Sequence, residues 1–136
     1  MVETVMPVTR DQAGVARVVL RADAIVSAVF GAICLAFVRP IDRFLGLDAP
    51  VVAVALGVVS LLYAAVLFWL TRQPLLTRGQ VMVPALLNTA WVVITAVMLA
   101  TGQPDLTTTG SWVIAIVADG AGALATAQWL ARRRMA

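Results

Sequence analysis

The chain has 136 residues, of which 62% are hydrophobic and only 12% charged, against roughly 45–50% and 25% in a soluble globular domain. So few charges cannot cover that much apolar surface, and lipid must be the solvent for much of the fold. The net charge of +3 comes from ten arginines and no lysine. They sit at the edges of apolar runs rather than in a stripe interleaved with exposed aromatics, which excludes a nucleic-acid groove.

Residues 1–17 form a mixed lead with Glu3, Arg10, Asp11, Arg17 and the turn formers Pro7 and Gly14. Its charged part is long and contains acids, and a full-length apolar run follows, so it reads as a cytoplasmic lead rather than a cleaved signal. A surface helix is expected near 9–17. Four apolar runs then make up a membrane domain over 18–134: residues 18–38, 51–70, 81–101 and 112–131. Each is close to the ~20 residues a helix needs to cross ~30 Å of hydrocarbon. The breakers between them are Arg39-Pro40 and 46–50, then 72–79 with Pro74, then 102–110 with Pro104. Pro84 is expected in the first turn of the third span, where its missing N–H costs little.

The predicted fold class is all-α, a four-transmembrane-helix antiparallel bundle. Orientation follows from the arginines. Eight lie in the lead and its helix start (Arg10, Arg17, Arg21), the middle loop (Arg72, Arg78) and the C-terminus (Arg132, Arg133, Arg134), while the other two loops hold only Arg39 and Arg43. Positive residues stay inside, so both termini are expected to be cytoplasmic in a multi-pass protein of the inner membrane. Trp112 marks the outer interface, and Trp69 and Trp129 the inner one.

Each span carries a face of small or weakly polar residues: Asp23, Ser27 and Gly31; Ala53, Gly57, Ser60 and Ala64; Asn88, Trp91 and Thr95; Ala115, Ala118, Gly122 and Ala125. Spans in lipid associate by close backbone approach through such residues, so Ser27, Gly31, Gly57, Ser60, Ala118 and Gly122 are assigned to helix packing. Asp23, Asn88, Thr126 and Gln128 fall at similar depth and are expected to form a polar cluster. Asp119 lies deeper, seven residues below Trp112, or about 10 Å. An Asp at a helix centre costs roughly 2.5–3.5 kcal/mol. Its six aliphatic neighbours on the span return roughly 2–3.5 kcal/mol. Asp119 is therefore expected to be buried against protein, donating a hydrogen bond near Thr95. The candidate intramembrane polar sites are Asp23, Asn88, Thr95 and Asp119.

The absence of His and the single cysteine, Cys34, remove His-based triads, CxxC pairs and the usual zinc sites. No metal, cofactor or catalytic residue is expected, and Cys34 reads as a small hydrophobe.

The stretches "LRADA" (20–24), "LGL" (45–47) and "NTAW" (88–91) resemble a group of small bacterial four-helix integral membrane proteins, a resemblance that implies a fold and a location but no activity. A second comparison is with small multidrug resistance exporters, also four-helix with an acid in the first span. Those use a Glu deeper in the helix with Tyr and Trp partners; here the acid is the shallower Asp23, and matching aromatics are not expected around it. The leading expectation is an accessory or structural membrane subunit. The alternative is a small dimeric proton-coupled transporter using Asp23 or Asp119. An enzyme ranks last. The expected partners are the bilayer and a homodimer or larger membrane complex, with no nucleic acid.

Overall fold

A computed structural model describes residues 10–135. Five helices account for nearly all of them: α1 (Arg10–Ala36), α2 (Val38–Leu45), α3 (Pro50–Arg72), α4 (Arg78–Thr101) and α5 (Thr108–Arg134), with no strand among the described residues. Four of these, Ala13–Ala36 within α1 together with all of α3, α4 and α5, are long and apolar enough to cross a membrane. The expected surface helix near 9–17 is not separate; from Arg10 onward it runs on into α1 without a break, and residues 1–9 lie outside the described part.

Local chemistry explains each boundary. Pro40 has no N–H to give the carbonyl of Ala36, and its ring crowds that carbonyl. The helix breaks at Phe37 (φ −124°, ψ 42°) and resumes as α2. This short amphipathic helix is an element that reading Arg39-Pro40 as a plain breaker did not anticipate. It stops at Gly46, whose left-handed backbone (φ 75°) turns its N–H onto the carbonyl of Asp42. The Asp42 Oδ1 accepts from the Ala49 N–H at 2.8 Å, so one buried carboxylate ties the loop into α3. Pro50 then starts α3 at a position where no N–H is needed.

Thr77 and Gln80 form a reciprocal capping box at the start of α4, with Thr77 Oγ1 accepting from the Gln80 N–H at 3.3 Å and Gln80 Oε1 from the Thr77 N–H at 2.9 Å. Because α4 starts at Arg78, Pro84 lies two turns inside it rather than in the first turn as expected. Thr107 caps α5 by accepting from the Gly110 N–H at 2.9 Å, and its own N–H and hydroxyl both donate to the end of α2, at Leu45 and Phe44.

The helices do not all pack equally. α1 packs most extensively on α3, α4 packs on α5, and α1 also meets α5. The α1–α3 contact is a backbone approach: a Cβ on Gly31 would lie 2.9 Å from the carbonyl oxygen of Gly57, and one on Gly57 would lie 3.1 Å from that of Gly31. A side chain at Gly31 would press on the α3 backbone, and one at Gly57 would displace Leu35 and crowd the Gly31 carbonyl. α3 and α4, by contrast, make little close backbone approach and meet through side chains.

One end of the molecule is closed. Ala16, Leu20, Leu67, Leu70, Val81 and Ala131 belong to a buried apolar cluster near the arginines at both ends of the 72–78 loop and at the C-terminus. Arg17 seals this end by donating to the carbonyl of Thr71 at 2.7 Å and that of Pro74 at 3.1 Å, which satisfies orphan carbonyls at the close of α3.

Candidate functional site: a carboxylate at the floor of an intramembrane cavity

Immediately beyond the apolar plug, all four long helices meet at Asp23. It is 1% exposed, and four side chains donate to it. Ser27, one turn further along α1, reaches Oδ1 at 3.2 Å. Oδ2 accepts from Tyr63 of α3 at 2.8 Å, Asn88 of α4 at 2.8 Å and Gln128 of α5 at 2.6 Å. Asn88 also donates to Gln128 Oε1 at 3.1 Å, and its nitrogen, with both hydrogens so used, lies 3.3 Å from the Tyr63 oxygen. These contacts fix both amide orientations, because turning either amide over would set oxygen against carboxylate or NH2 against NH2. Every donor is neutral, so no positively charged side chain is among the carboxylate's hydrogen-bond partners.

The depths agree with the sequence. Asp23 lies six residues past Arg17, Asn88 ten past Arg78, Tyr63 nine before Arg72 and Gln128 four before Arg132. At a rise of ~1.5 Å per residue, the network sits about 6–15 Å from the arginine level, with the arginines on the side away from the cavity.

Above this network is a cavity of about 570 Å3 bounded by α1, α3, α4 and α5, within the ~300–1,000 Å3 typical of small-molecule sites. Asp23, Ser27, Tyr63 and Asn88 contribute to its polar floor, and Phe30 and Trp91 to its largely apolar wall. A second crevice of about 320 Å3 between α3 and α4 shares Val59, Tyr63 and Leu87 with it. The gap between these two helices thus runs beside the cavity toward the lipid-facing surface.

The expected cluster of Asp23, Asn88, Thr126 and Gln128 is realised in three of its members. Thr126 is exposed and bonds back to the Gly122 carbonyl at 2.8 Å. Tyr63 is the member missed, although it lies three residues beyond Ser60 on the small-residue face. It also corrects the expectation that Asp23 lacks aromatic company: Tyr63 touches the carboxylate and Trp91 lines the cavity above it.

Asp119 differs from its expectation. It is exposed and does not meet Thr95. Thr95 is buried, 2% exposed, and its Oγ1 has no hydrogen-bond partner among the described residues. The reason is helix phase: Val117 and Ala121 line the cavity, and Asp119 is turned about 200° round α5 from Val117. Among the packing residues, Gly31, Gly57 and Ala118 are buried in helix contacts, whereas Ser27 and Ser60 are half-buried in the cavity wall. Gly122 is half-buried, and a Cβ there would meet only Val92 at an ordinary 3.6 Å. It is not a close-approach position.

No family model, curated protein or solved structure matches the chain. The class therefore follows from the fold alone: four apolar helices long enough to span a bilayer mark a small multi-pass membrane protein.

Proposed function

We propose that this protein binds a small, largely apolar molecule inside the membrane and carries it, with Asp23 as the exchanging group at the floor of the site. The observation that carries this reading is the cavity of about 570 Å3 with the buried carboxylate of Asp23 as its one charged lining residue among the described residues. This cavity is a half-open cleft among α1, α3, α4 and α5 with polar side chains at its floor. The proposed role is binding and carriage rather than catalysis, and proton coupling would act through Asp23. Its one titratable contact is Tyr63 on α3; α4 and α5 present the neutral amides of Asn88 and Gln128, and Arg21 on α1 is exposed.

The proposal includes four spans of alternating direction with both termini in the cytoplasm of a bacterial inner membrane, supported by the eight-to-two arginine asymmetry. A periplasm-active reporter fused after Ala136 should stay inactive, and one inserted near Asp105 should be active. The function itself is tested in reconstituted vesicles. Proton-linked flux of a small apolar substrate should be lost in Asp23→Asn and kept in Asp119→Asn. Flux insensitive to Asp23 contradicts the reading.

A second reading, an accessory subunit of a homodimer or larger membrane complex, is favoured by the exposed Asp119. A carboxylate facing hydrocarbon costs roughly 2.5–3.5 kcal/mol, a cost that a neighbouring protein would remove. Co-purification of a partner from native membranes that depends on Asp119 would favour this role.

A further inference from the structure

We infer that the ligand of the cavity is an organic amine bound as its ammonium ion, with its nitrogen at Asp23 and its apolar body between α1, α3 and α4. This rests on the reading of the cavity as a binding site. The argument begins with charge. Among the described residues Asp23 is the only charged one lining the cavity, and Ser27, Tyr63, Asn88 and Gln128 satisfy it as neutral donors. Neutral donors stabilise a carboxylate without cancelling its charge, so the floor presents a net negative potential in surroundings of low dielectric. The complementary ligand is a monocation.

The two carboxylate oxygens then narrow the class. Oδ2 takes three donors at 2.6–2.8 Å, whereas Oδ1 takes only Ser27, at 3.2 Å. A carboxylate has about four acceptor positions, so Oδ1 keeps capacity for another donor. Its partner Ser27 lines the cavity, as do the Oδ2 partners Tyr63 and Asn88, so these donors ring the floor of the cavity. An ammonium N–H fits this vacancy, and a quaternary cation has no hydrogen to offer it. Phe30, Tyr63 and Trp91 in the lining suit a desolvated cation further. A bare inorganic ion fits poorly, since hard cations call for about six oxygen ligands and would leave the apolar wall unfilled.

The test is calorimetric titration of the protein in neutral-lipid nanodiscs, corrected against empty discs, with dibenzylamine and its uncharged isostere dibenzyl ether at neutral pH. A charge-assisted hydrogen bond predicts that the ammonium binds at least about tenfold tighter than the ether, and that Asp23→Asn reduces this to within about twofold. Ser27→Ala leaves the Oδ2 network whole and frees Oδ1, so it should tighten the ammonium by about threefold and leave the ether unchanged. Should Asp23→Asn fail to fold, the wild-type pair and Ser27→Ala decide the matter. Equal binding of the two probes overturns the amine assignment while keeping the cavity as a site. An ammonium advantage that survives in folded Asp23→Asn overturns it too. Binding of neither probe overturns the cavity reading itself, and this inference with it.

Discussion

Asp23 and Asp119 are the same side chain, each within an apolar span, and the protein treats them in opposite ways. Asp23 is enclosed where all four long helices meet and accepts from four neutral donors. Asp119 is exposed on α5. Depth alone does not separate them, because the more central of the two is the one left uncovered. What separates them is rotation about the helix axis and what the facing helix offers at that level. An intramembrane acid must be judged by its face, not by its distance from the interface.

The largest effect should come from breaking the enclosed site. Asp23→Leu strands the donors of Tyr63, Asn88 and Gln128 in an apolar interior. Unpaired buried donors cost about 1–3 kcal/mol each in soluble proteins, less in membranes, so a loss of about 2–5 kcal/mol is expected in unfolding from mixed micelles. Asp119→Leu should be neutral or stabilising in the same measurement. A similar loss in both would erase the distinction.

The next effect contrasts two of the three glycines on the predicted seams. Gly57→Ala pushes a methyl into the Gly31 backbone and Leu35, whose Cγ would lie 2.6 Å away. Overpacking of this kind costs about 1–3 kcal/mol, read as a lower melting temperature. Gly122→Ala meets only ordinary contact and should be neutral or gain up to ~1 kcal/mol from helix propensity.

Much of this was legible in the sequence. Hydropathy and arginine placement locate the spans, because the bilayer imposes length and edge chemistry on every helix that crosses it. Asp23, Asn88 and Gln128 were grouped correctly because counting from the arginines gives depth. Tyr63 escaped because depth was compared only for residues already singled out as polar. Its ring reads as ordinary span content, although its position beyond Gly57 and Ser60 carried the signal. Asp119 was misjudged because an energy argument says that a carboxylate wants cover without saying which neighbour supplies it. The α2 helix was hidden by Pro40, which ends one helix and is accommodated near the start of the next.

A smaller effect separates members of the network. Tyr63→Phe removes one donor to Asp23 and leaves Asn88 and Gln128 in place. The expected cost is about 0.6–1.5 kcal/mol, again by unfolding in micelles. Smallest of all, Phe68→Leu on the exposed side of α3 should change stability by no more than about 0.5 kcal/mol.

The contrast between the two carboxylates is tested most directly by a pair of double-mutant cycles on unfolding free energy. Residues in one hydrogen-bond network couple by about 0.5–3 kcal/mol, whereas separated ones add within about 0.3–0.5 kcal/mol. The account predicts coupling of about 1 kcal/mol or more between Asp23→Leu and Gln128→Leu, and none beyond error between Asp119→Leu and Thr95→Val. Additivity at Asp23 and Gln128, with coupling at Asp119 and Thr95, would contradict it.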